Sequence, residues 1–188
     1  VLALGYKAEI IEAYAQTYVL RNKNDELDMV FSVEKEALGT GGAIRLACEK
    51  ARSQDVLILN GDTFFGIDVI QLEKLHEKKK AVCTLSLKRM QDFSRYGLVE
   101  MDAENKITQF KEKKLYKDGL INGGVYLLKR ESFLRADLPG KFSFETDYLE
   151  KYLSRNRVFG LEQEAYFIDI GIPEDYYRAQ KELQQNLD

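Results

Sequence analysis

The sequence is poor in the residues that mark metal-binding, disulfide-bonded and membrane-spanning proteins. It has one histidine and two cysteines in 188 residues. Cys48 and Cys83 are too isolated to form a metal-binding motif, so we expect buried free thiols of the kind found in cytosolic proteins. His76 lies in a polar stretch, and we expect it on the surface without a chemical role. No apolar run approaches the length of a bilayer-spanning helix, which argues against a membrane partner.

Strong net charge is also absent. The formal net charge is −3, so no field favours nucleic acid or an anionic membrane surface. Residue 1 is Val rather than Met, and we expect no signal peptide in the sequence as given. We therefore expect a cytoplasmic protein whose chain, as printed, is processed or incomplete at its start. A chain of this length can bury one sizeable core, which predicts a single domain over residues 1–188.

Short apolar runs alternate with helical patterns over the first half of the chain. Strands are predicted at 1–4, 29–33, 56–59 and 81–87, with helices at 8–18, up to residue 51 and at 69–80. This alternation indicates an α/β fold with a mostly parallel, doubly wound sheet. After residue 97 the pattern changes to shorter strands around a hairpin-like turn, with helices at 145–153 and from Pro173 onwards.

Two of the predicted strands end in an aspartate. The apolar run Val56–Leu59 stops at Asn60-Gly61-Asp62, and a second run stops at Asp169, two residues before a glycine. Ligands of open α/β sheets bind at the carboxyl ends of strands, and carboxylates there suit a hard cation such as Mg²⁺. If the two strands are neighbours, both aspartates could hold one ion. A turn in which Asp62 only caps the next helix is an equally good interpretation of this stretch alone.

A glycine-rich segment, Leu38–Ile44, lies between a predicted strand and a predicted helix. Glycines there let backbone N–H groups approach a nucleotide closely, and a helix N-terminus favours anions. The segment matches neither G-x-G-x-x-G nor the lysine-containing P-loop, so a tight strand-to-helix turn remains as good an interpretation.

Four further polar groups lie beside glycines or strand ends, and each has a structural interpretation besides a functional one. Arg95-Tyr96-Gly97 could be a turn and Glu112-Lys113 a surface pair. Asn122-Gly123-Gly124 could be a bulge and Phe144-Glu145 a helix cap region.

Together, and in this order along the chain, the motifs resemble the sugar-1-phosphate nucleotidyltransferases. The resemblance covers nearly the whole chain and is closest to the guanylyltransferase branch for heptose 1-phosphate, with mannose-1-phosphate relatives next. It rests on Leu38–Ile44, Asn60-Gly61-Asp62, Arg95-Tyr96-Gly97, Phe110–Lys113, Ile121–Gly124, Lys141–Glu145 and Tyr166–Tyr176.

The resemblance implies a Rossmann-like core of the glycosyltransferase-A type and a group-transfer reaction. A sugar 1-phosphate oxygen would attack the α-phosphorus of a nucleoside triphosphate, GTP in this branch, to form a nucleotide sugar and pyrophosphate. The attacking phosphate is already ionised, so catalysis would depend on positioning and charge neutralisation. The implied partners are these two small molecules and Mg²⁺.

The resemblance also assigns roles to individual residues. Asp62 and Asp169 would hold the metal, and Lys113 would face the sugar phosphate. The nucleotide would contact Glu34, Gly39, Thr40, Gly41, Asn60 and Gly61. The sugar would contact Tyr96, Gly97, Glu112, Asn122, Gly123 and Glu145.

One departure from the family pattern is large. The family's first strand, its phosphate loop and the associated Arg and Lys have no counterpart before Val1. We therefore expect little activity from the chain as printed, and an uncovered sheet surface that favours a homo-oligomer. Two alternatives remain: a nucleotide-sugar-dependent glycosyltransferase, which shares the core, and a non-catalytic module that binds sugar nucleotides.

The residue type at position 34, Glu, predicts which base the nucleotide substrate carries. By register from Gly39, it stands where thymidylyl- and uridylyl-transferring relatives often have Gln. A carboxylate only accepts hydrogen bonds, which suits the adjacent N1–H and N2–H₂ donors of guanine. The alternative is that Glu34 is a solvated strand-end residue and that the backbone of Gly39–Gly41 selects the base.

Overall fold

The structure is a computed structural model that describes residues 1–21, 28–153 and 157–186. The chain divides into two compact units, which are described separately below. The first comprises residues 1–56 and 130–152, and the second comprises residues 57–129 and 153–188. In the described residues, no helix is long and apolar enough to cross a membrane.

The first unit is built around helix α2 (Gly39–Lys50). A parallel pair of short strands, β1 and β2, and the helix α4 contact α2, as does a single π-helical segment. The bounds are β1 Leu2–Leu4, α1 Ala8–Arg21, β2 Phe31–Val33, α4 Arg130–Leu134 and the π-helical segment Phe144–Glu150. The predicted strands and α1 are confirmed here. The polar stretch 21–28, which the sequence predicts to be a loop, lies mostly outside the described residues.

Aromatic side chains fill the core of the first unit. The Phe133 ring lies edge-on to Tyr148 at 4.8 Å and to Phe144 at 5.6 Å between centroids. Phe142 lies against the same ring at 6.1 Å. The helix predicted at 145–153 is therefore present in part, but it begins at Phe144 as a π-helical segment that places two aromatic residues on one core ring.

The second unit contains a six-stranded sheet in the order β7-β6-β8-β5-β9, with β3 paired to β8. The strand bounds are β3 Asp55–Leu59, β5 Cys83–Phe93, β6 Leu98–Met101, β7 Ile107–Lys111, β8 Tyr116–Lys129 and β9 Val158–Glu162. Helix α3 (Val69–Lys79) packs on β5 and β9, and helix α5 (Pro173–Asn186) follows the last strand.

The sheet is mixed. Strands β5 and β9 run parallel, but β5–β8, β6–β7 and β6–β8 are antiparallel. The α/β class is confirmed. The β6–β7 pair is antiparallel because a short connection joins the two strands and leaves no room for a crossover helix.

A second, two-stranded sheet in this unit was missed in the sequence. Strand β4 (Thr63–Phe65) pairs antiparallel with β10 (Phe167–Asp169). Because a strand follows Asp62, the alternative that Asp62 caps the next helix is wrong. Helix α3 is capped instead by Asp68, whose carboxylate accepts a hydrogen bond from the Gln71 N–H at 3.1 Å.

The expectation for the lone histidine is wrong, whereas that for the cysteines is confirmed. His76 is buried, with Nδ1 2.8 Å from the hydroxyl of Thr84 on β5. It lies one turn after Leu72, so it shares the face of α3 that packs on the sheet. Both cysteines are buried free thiols. Burial raises the pKa of Cys48 to about 11, and it also raises that of Cys83.

Candidate functional site

Strand pairing in the second unit places the backbones of the two predicted metal ligands side by side. Asp169 on β10 is opposite Thr63 on β4, and the N–H of Ile170 donates to the carbonyl of Asp62 at 2.9 Å. Asp62 and Asp169 therefore lie on adjacent rungs of one antiparallel ladder. They meet through a strand that the sequence analysis did not predict.

The surroundings of Asp169 orient its carboxylate. Oδ1 accepts a hydrogen bond from the N–H of Gly171 at 2.7 Å, and Nη2 of Arg95 lies 3.6 Å from the same oxygen. A Cβ on Gly171 would lie 2.9 Å from that oxygen, so a side chain there would displace the carboxylate. Asp62 is exposed, and its Oδ1 accepts from the hydroxyl of Thr63 at 3.3 Å.

The donor set fits a hard divalent cation. Carboxylate oxygens are the protein ligands that such ions prefer, and Mg²⁺ usually keeps water or phosphate oxygens at its remaining positions. Across the ranges that the structure describes, no group of three or more His, Cys, Asp or Glu side chains is arranged to hold a metal ion. A site that used these two carboxylates would leave most of the coordination sphere to water and substrate.

A cavity of about 280 Å³ adjoins Asp169 within the second unit. Its lining includes Arg95, Tyr96, Asp169, Asp175 and Arg178. Burial raises the pKa of Tyr96 to about 12, and the negative charge of Asp169 and a hydrogen bond to it add to the shift. The Tyr96 hydroxyl therefore stays protonated at neutral pH and can donate a hydrogen bond.

The two Asn-Gly motifs of the second unit also meet. The N–H of Asn60 donates to the carbonyl of Gly124 at 2.9 Å, and Gly124 has the left-handed φ of 75° that favours glycine. A Cβ on Gly124 would lie 3.0 Å from Nδ2 of Asn60. The Asn122 amide donates to the Tyr126 hydroxyl at 2.7 Å and accepts from the Gly124 N–H at 3.1 Å. The end of β3 thus abuts the predicted bulge in β8.

Packing also accounts for two glycines that the resemblance assigns to the sugar. A Cβ on Gly123 would lie 2.3 Å from the Phe65 ring, and one on Gly97 would lie 2.6 Å from the Lys111 carbonyl oxygen. Glu112 and Lys113 are exposed in the turn between β7 and β8. The structure leaves their assigned roles as predictions.

In the first unit, the glycine-rich segment is bound to a distant part of the chain. The N–H of Gly41 donates to the Phe142 carbonyl at 3.0 Å, and the Phe142 N–H donates to the Leu38 carbonyl at 3.0 Å. A Cβ on Gly41 would lie 2.1 Å from the Phe142 ring. Gly39 has a φ of 73°, and its Cβ would lie 2.6 Å from the Phe142 oxygen. These glycines are thus required by packing, whatever they bind.

The remaining predicted contacts of the first unit surround the start of α2. Oε2 of the half-buried Glu34 accepts a hydrogen bond from the N–H of Leu38 at 2.8 Å. The Thr40 hydroxyl accepts from the N–H of Phe144 at 2.9 Å, immediately before the exposed Glu145. The segment that contains Glu145 is therefore attached to the glycine-rich loop.

Two residues with a clear place beside the predicted site were missed. Asp175 is buried next to Arg95, although its position in the first turn of α5 is typical of an exposed residue. Phe142 was quoted only as part of a motif. No local signal identifies a residue whose role depends on contacts with distant parts of the chain.

An α/β core with carboxylates at strand ends and a glycine-rich helix start defines a class of phosphate- and nucleotide-binding proteins. The family model described as nucleotidyl transferase matches residues 6–186, and this chain belongs to that family of enzymes. Members of the family generally use a divalent metal ion.

Characterised relatives cover the whole chain. The D-glycero-alpha-D-manno-heptose 1-phosphate guanylyltransferase of Aneurinibacillus thermoaerophilus is 45% identical over 187 residues, which is 100% of this chain and 79% of the relative. Its counterpart in Campylobacter jejuni is 44% identical over 94% of this chain and 75% of the relative. The crystal structure of HddC from Yersinia pseudotuberculosis complexed with GMP-PN superimposes with a TM-score of 0.82 at 33% identity, over 97% of this chain and 77% of that one.

Proposed function

We propose that this chain transfers GMP from GTP to a heptose 1-phosphate, releasing pyrophosphate and forming a guanosine diphosphate sugar. The observation that carries the proposal is the adjacency of Asp62 and Asp169 on the β4–β10 ladder, in a chain 45% identical to a heptose 1-phosphate guanylyltransferase. Mannose 1-phosphate is the next substrate class by similarity, at 29% identity. We further propose a cytoplasmic enzyme.

The reaction requires positioning more than proton transfer. A sugar phosphate oxygen forms a bond to the α-phosphorus as the bond from that phosphorus to the bridging oxygen of pyrophosphate breaks. We assign Lys113 to the sugar phosphate and the Tyr96 hydroxyl to the sugar itself, as the family motifs imply. Glu112, Asn122 and the backbone at Gly97 and Gly123 would surround the sugar.

We assign the metal site to Asp62 and Asp169, with Mg²⁺ as the ion. Mg²⁺ would neutralise charge on the triphosphate and the leaving pyrophosphate. Asp62 is exposed and can turn toward a ligand, whereas Asp169 is held through Oδ1. The unequal support predicts that Asp169 sets the place of the ion and Asp62 adjusts to it.

For the nucleotide, we propose that Glu34 selects guanine beside Gly39, Thr40 and Gly41. One oxygen of Glu34 already accepts from Leu38, but a carboxylate has about four lone-pair sites and can accept further N–H donors. Guanine offers two adjacent donors, whereas uracil offers one donor between two carbonyls. A mismatch that buries an unpaired polar group costs about 1–3 kcal/mol.

A nucleotide panel tests this assignment in an active enzyme preparation. Pyrophosphate release is measured with GTP, ATP, UTP and dTTP on heptose 1-phosphate, for the parent, Glu34→Gln and the matched control Glu36→Gln. We expect GTP preference in the parent and the control, and a preference at least about tenfold weaker in Glu34→Gln. Parent preference for UTP or dTTP, or unchanged GTP preference in Glu34→Gln, would disprove the role of Glu34.

The same assay separates nucleotidyl transfer from the alternatives. Pyrophosphate release that requires both a triphosphate and a sugar 1-phosphate excludes a glycosyltransferase, which would use a preformed nucleotide sugar. Binding without turnover would favour a non-catalytic module. Exposed apolar side chains in the first unit, including Ile10, Ile11 and Tyr14, support our expectation of a homo-oligomer.

A further inference from the structure

The neighbourhood of Asp169 contains a second carboxylate that the reaction does not use. Asp175 lies in the first turn of α5, and its side chain is only 12% exposed. A charged carboxylate that is nearly buried is rare unless it is paired. Asp175 is paired twice: Oδ2 accepts a hydrogen bond from Nη1 of Arg95, and Oδ1 lies 3.2 Å from Nη2 of Arg178.

Arg95 thus lies between two carboxylates and contacts one of them more closely than the other. Its Nη1 makes a direct hydrogen bond to Asp175, whereas its Nη2 is 3.6 Å from Oδ1 of Asp169, beyond ordinary hydrogen-bond length. The guanidinium is also 5.5 Å from the ring centroid of Tyr96. A bidentate pair with Asp169 would be the stronger geometry for an arginine, but the guanidinium is drawn toward Asp175.

This unequal sharing matters because Arg95 and a divalent cation would compete for the same carboxylate. An arginine that formed a bidentate pair with Asp169 would occupy the oxygens that a cation needs. We propose that Asp175 is a positioning residue, which holds the Arg95 guanidinium off Asp169 and so keeps that carboxylate available for the metal. The inference rests on the proposed assignment of Asp169 as a metal ligand.

The location of Asp175 suits this role. A carboxylate in the first turn is favoured by the helix dipole, and Arg178, one turn later on α5, fixes its second oxygen. Asp175 is therefore fixed by its own helix, independently of Arg95. The hydrogen bond from Gly171 N–H holds Oδ1 of Asp169 in the same way. Each carboxylate has its own backbone or helix support, whereas the contacts of the Arg95 guanidinium are with the side chains of Asp175, Asp169 and Tyr96.

The test is the affinity of the chain for Mn²⁺, measured by electron paramagnetic resonance of the free ion in a titration. Without the charge of Asp175, Arg95 is expected to turn to Asp169. We therefore expect Asp175→Asn to bind Mn²⁺ about tenfold more weakly than the parent, the equivalent of one charge-assisted hydrogen bond. The Mg²⁺ concentration for half-maximal turnover should rise by a similar factor, with turnover at saturating Mg²⁺ largely retained.

Without Arg95 to compete with the cation for Asp169, the change at Asp175 should no longer affect Mn²⁺ affinity. Arg95→Met is expected to bind Mn²⁺ at least as tightly as the parent, and the Arg95→Met/Asp175→Asn double variant should bind like Arg95→Met. A purely structural role of Asp175 would change the melting temperature but give no such coupling in Mn²⁺ affinity. Asp118→Asn is the matched control, since Asp118 pairs with Arg89 at 2.8 Å in the same unit.

The outcomes separate this inference from the proposed metal site. If neither Asp62→Asn nor Asp169→Asn weakens Mn²⁺ binding, or the parent binds none, the metal site itself is wrong. If those variants lose binding while Asp175→Asn binds like the parent, the role of Asp175 is overturned and the metal site stands. Weaker binding by Arg95→Met would also overturn it, because Arg95 would then support the ligand. That variant keeps the test decisive if Asp175→Asn fails to fold.

Discussion

The glycine-rich start of α2 and the carboxylate corner, which consists of Asp62 before β4 and Asp169 on β10, look alike in the sequence but differ in the structure. Both combine glycines with residues assigned to substrate. At the start of α2, a Cβ on Gly41 would collide with the Phe142 ring at 2.1 Å. At the corner, apart from the chain neighbours of Gly61, no described residue has an atom within 4 Å of the Cβ position of Gly61, and Asp62 is exposed.

This difference separates residues that build the fold from residues that are free to react. A protein side chain fills the space beside Gly41, so replacement of this glycine should first affect stability. Asp62 is not needed to fill space, so its replacement should first affect chemistry. The presence of a glycine in a motif is therefore weak evidence for ligand contact until its neighbours are known.

The largest expected effect is on catalysis at the corner. Asp62→Asn should lower turnover at least about 100-fold in an active enzyme preparation, because several kcal/mol of charge stabilisation through the metal are lost. The melting temperature should stay near that of the parent, because Asn fills the same space. Steady-state kinetics and thermal unfolding measure the two quantities, and Asp118→Asn serves as the exposed control. Unchanged turnover would mean that Asp62 has no role in the chemistry.

The next effect is on stability at the start of α2. Gly41→Ala should lower the free energy of unfolding by about 1–3 kcal/mol, because the added methyl group meets the Phe142 ring. Gly61→Ala is the matched control and should change it by less than about 0.5 kcal/mol. Its backbone lies outside the left-handed region, and its Cβ position is open. Urea unfolding of both variants makes the measurement, and equal destabilisation would contradict the packing explanation.

The smallest expected effect is on the pH dependence of stability, and it distinguishes the start of α3 from the start of α2. Helix α2 has no side-chain cap from Leu38, whereas Asp68 caps α3. The backbone hydrogen bond from Gln71 holds the pKa of Asp68 below its usual value, with help from the Gln71 side chain. A carboxyl whose pKa is lower in the folded state adds stability above its unfolded pKa, about 4, and loses it as pH falls through the folded value.

Asp68→Asn should remove that pH-dependent part while keeping a capping side chain. We expect the parent to melt at a slightly higher temperature than Asp68→Asn near pH 6, and the two melting temperatures to converge as the pH falls below about 4. Thermal unfolding across this range makes the comparison. A difference that grows on acidification would mean that the charged form of Asp68 does not stabilise α3.

Most of the regular structure could be predicted because its signals are local. Apolar runs at 1–4 and 56–59 gave strands, and Pro173 begins the last helix as its fixed φ predicts. Strand β4 could not be predicted, because the three residues Thr63–Phe65 form a strand only through pairing with β10. His76 was misplaced for a related reason: polar neighbours hid the face that α3 turns toward β5.

The sequence by itself determined the candidates for the site: two aspartates at the ends of apolar strands, a glycine-rich helix start and the motifs shared with the nucleotidyl transferase family. Tertiary structure alone decided that Asp62 and Asp169 are adjacent, that Phe142 fills the space at Gly41 and that Arg95 hydrogen-bonds Asp175 rather than Asp169. The physical reason is the distance along the sequence between the residues that interact. Strand ends and helix starts are set by neighbouring residues, whereas strand pairing, close packing and the choice of an ion-pair partner depend on segments that only folding brings together.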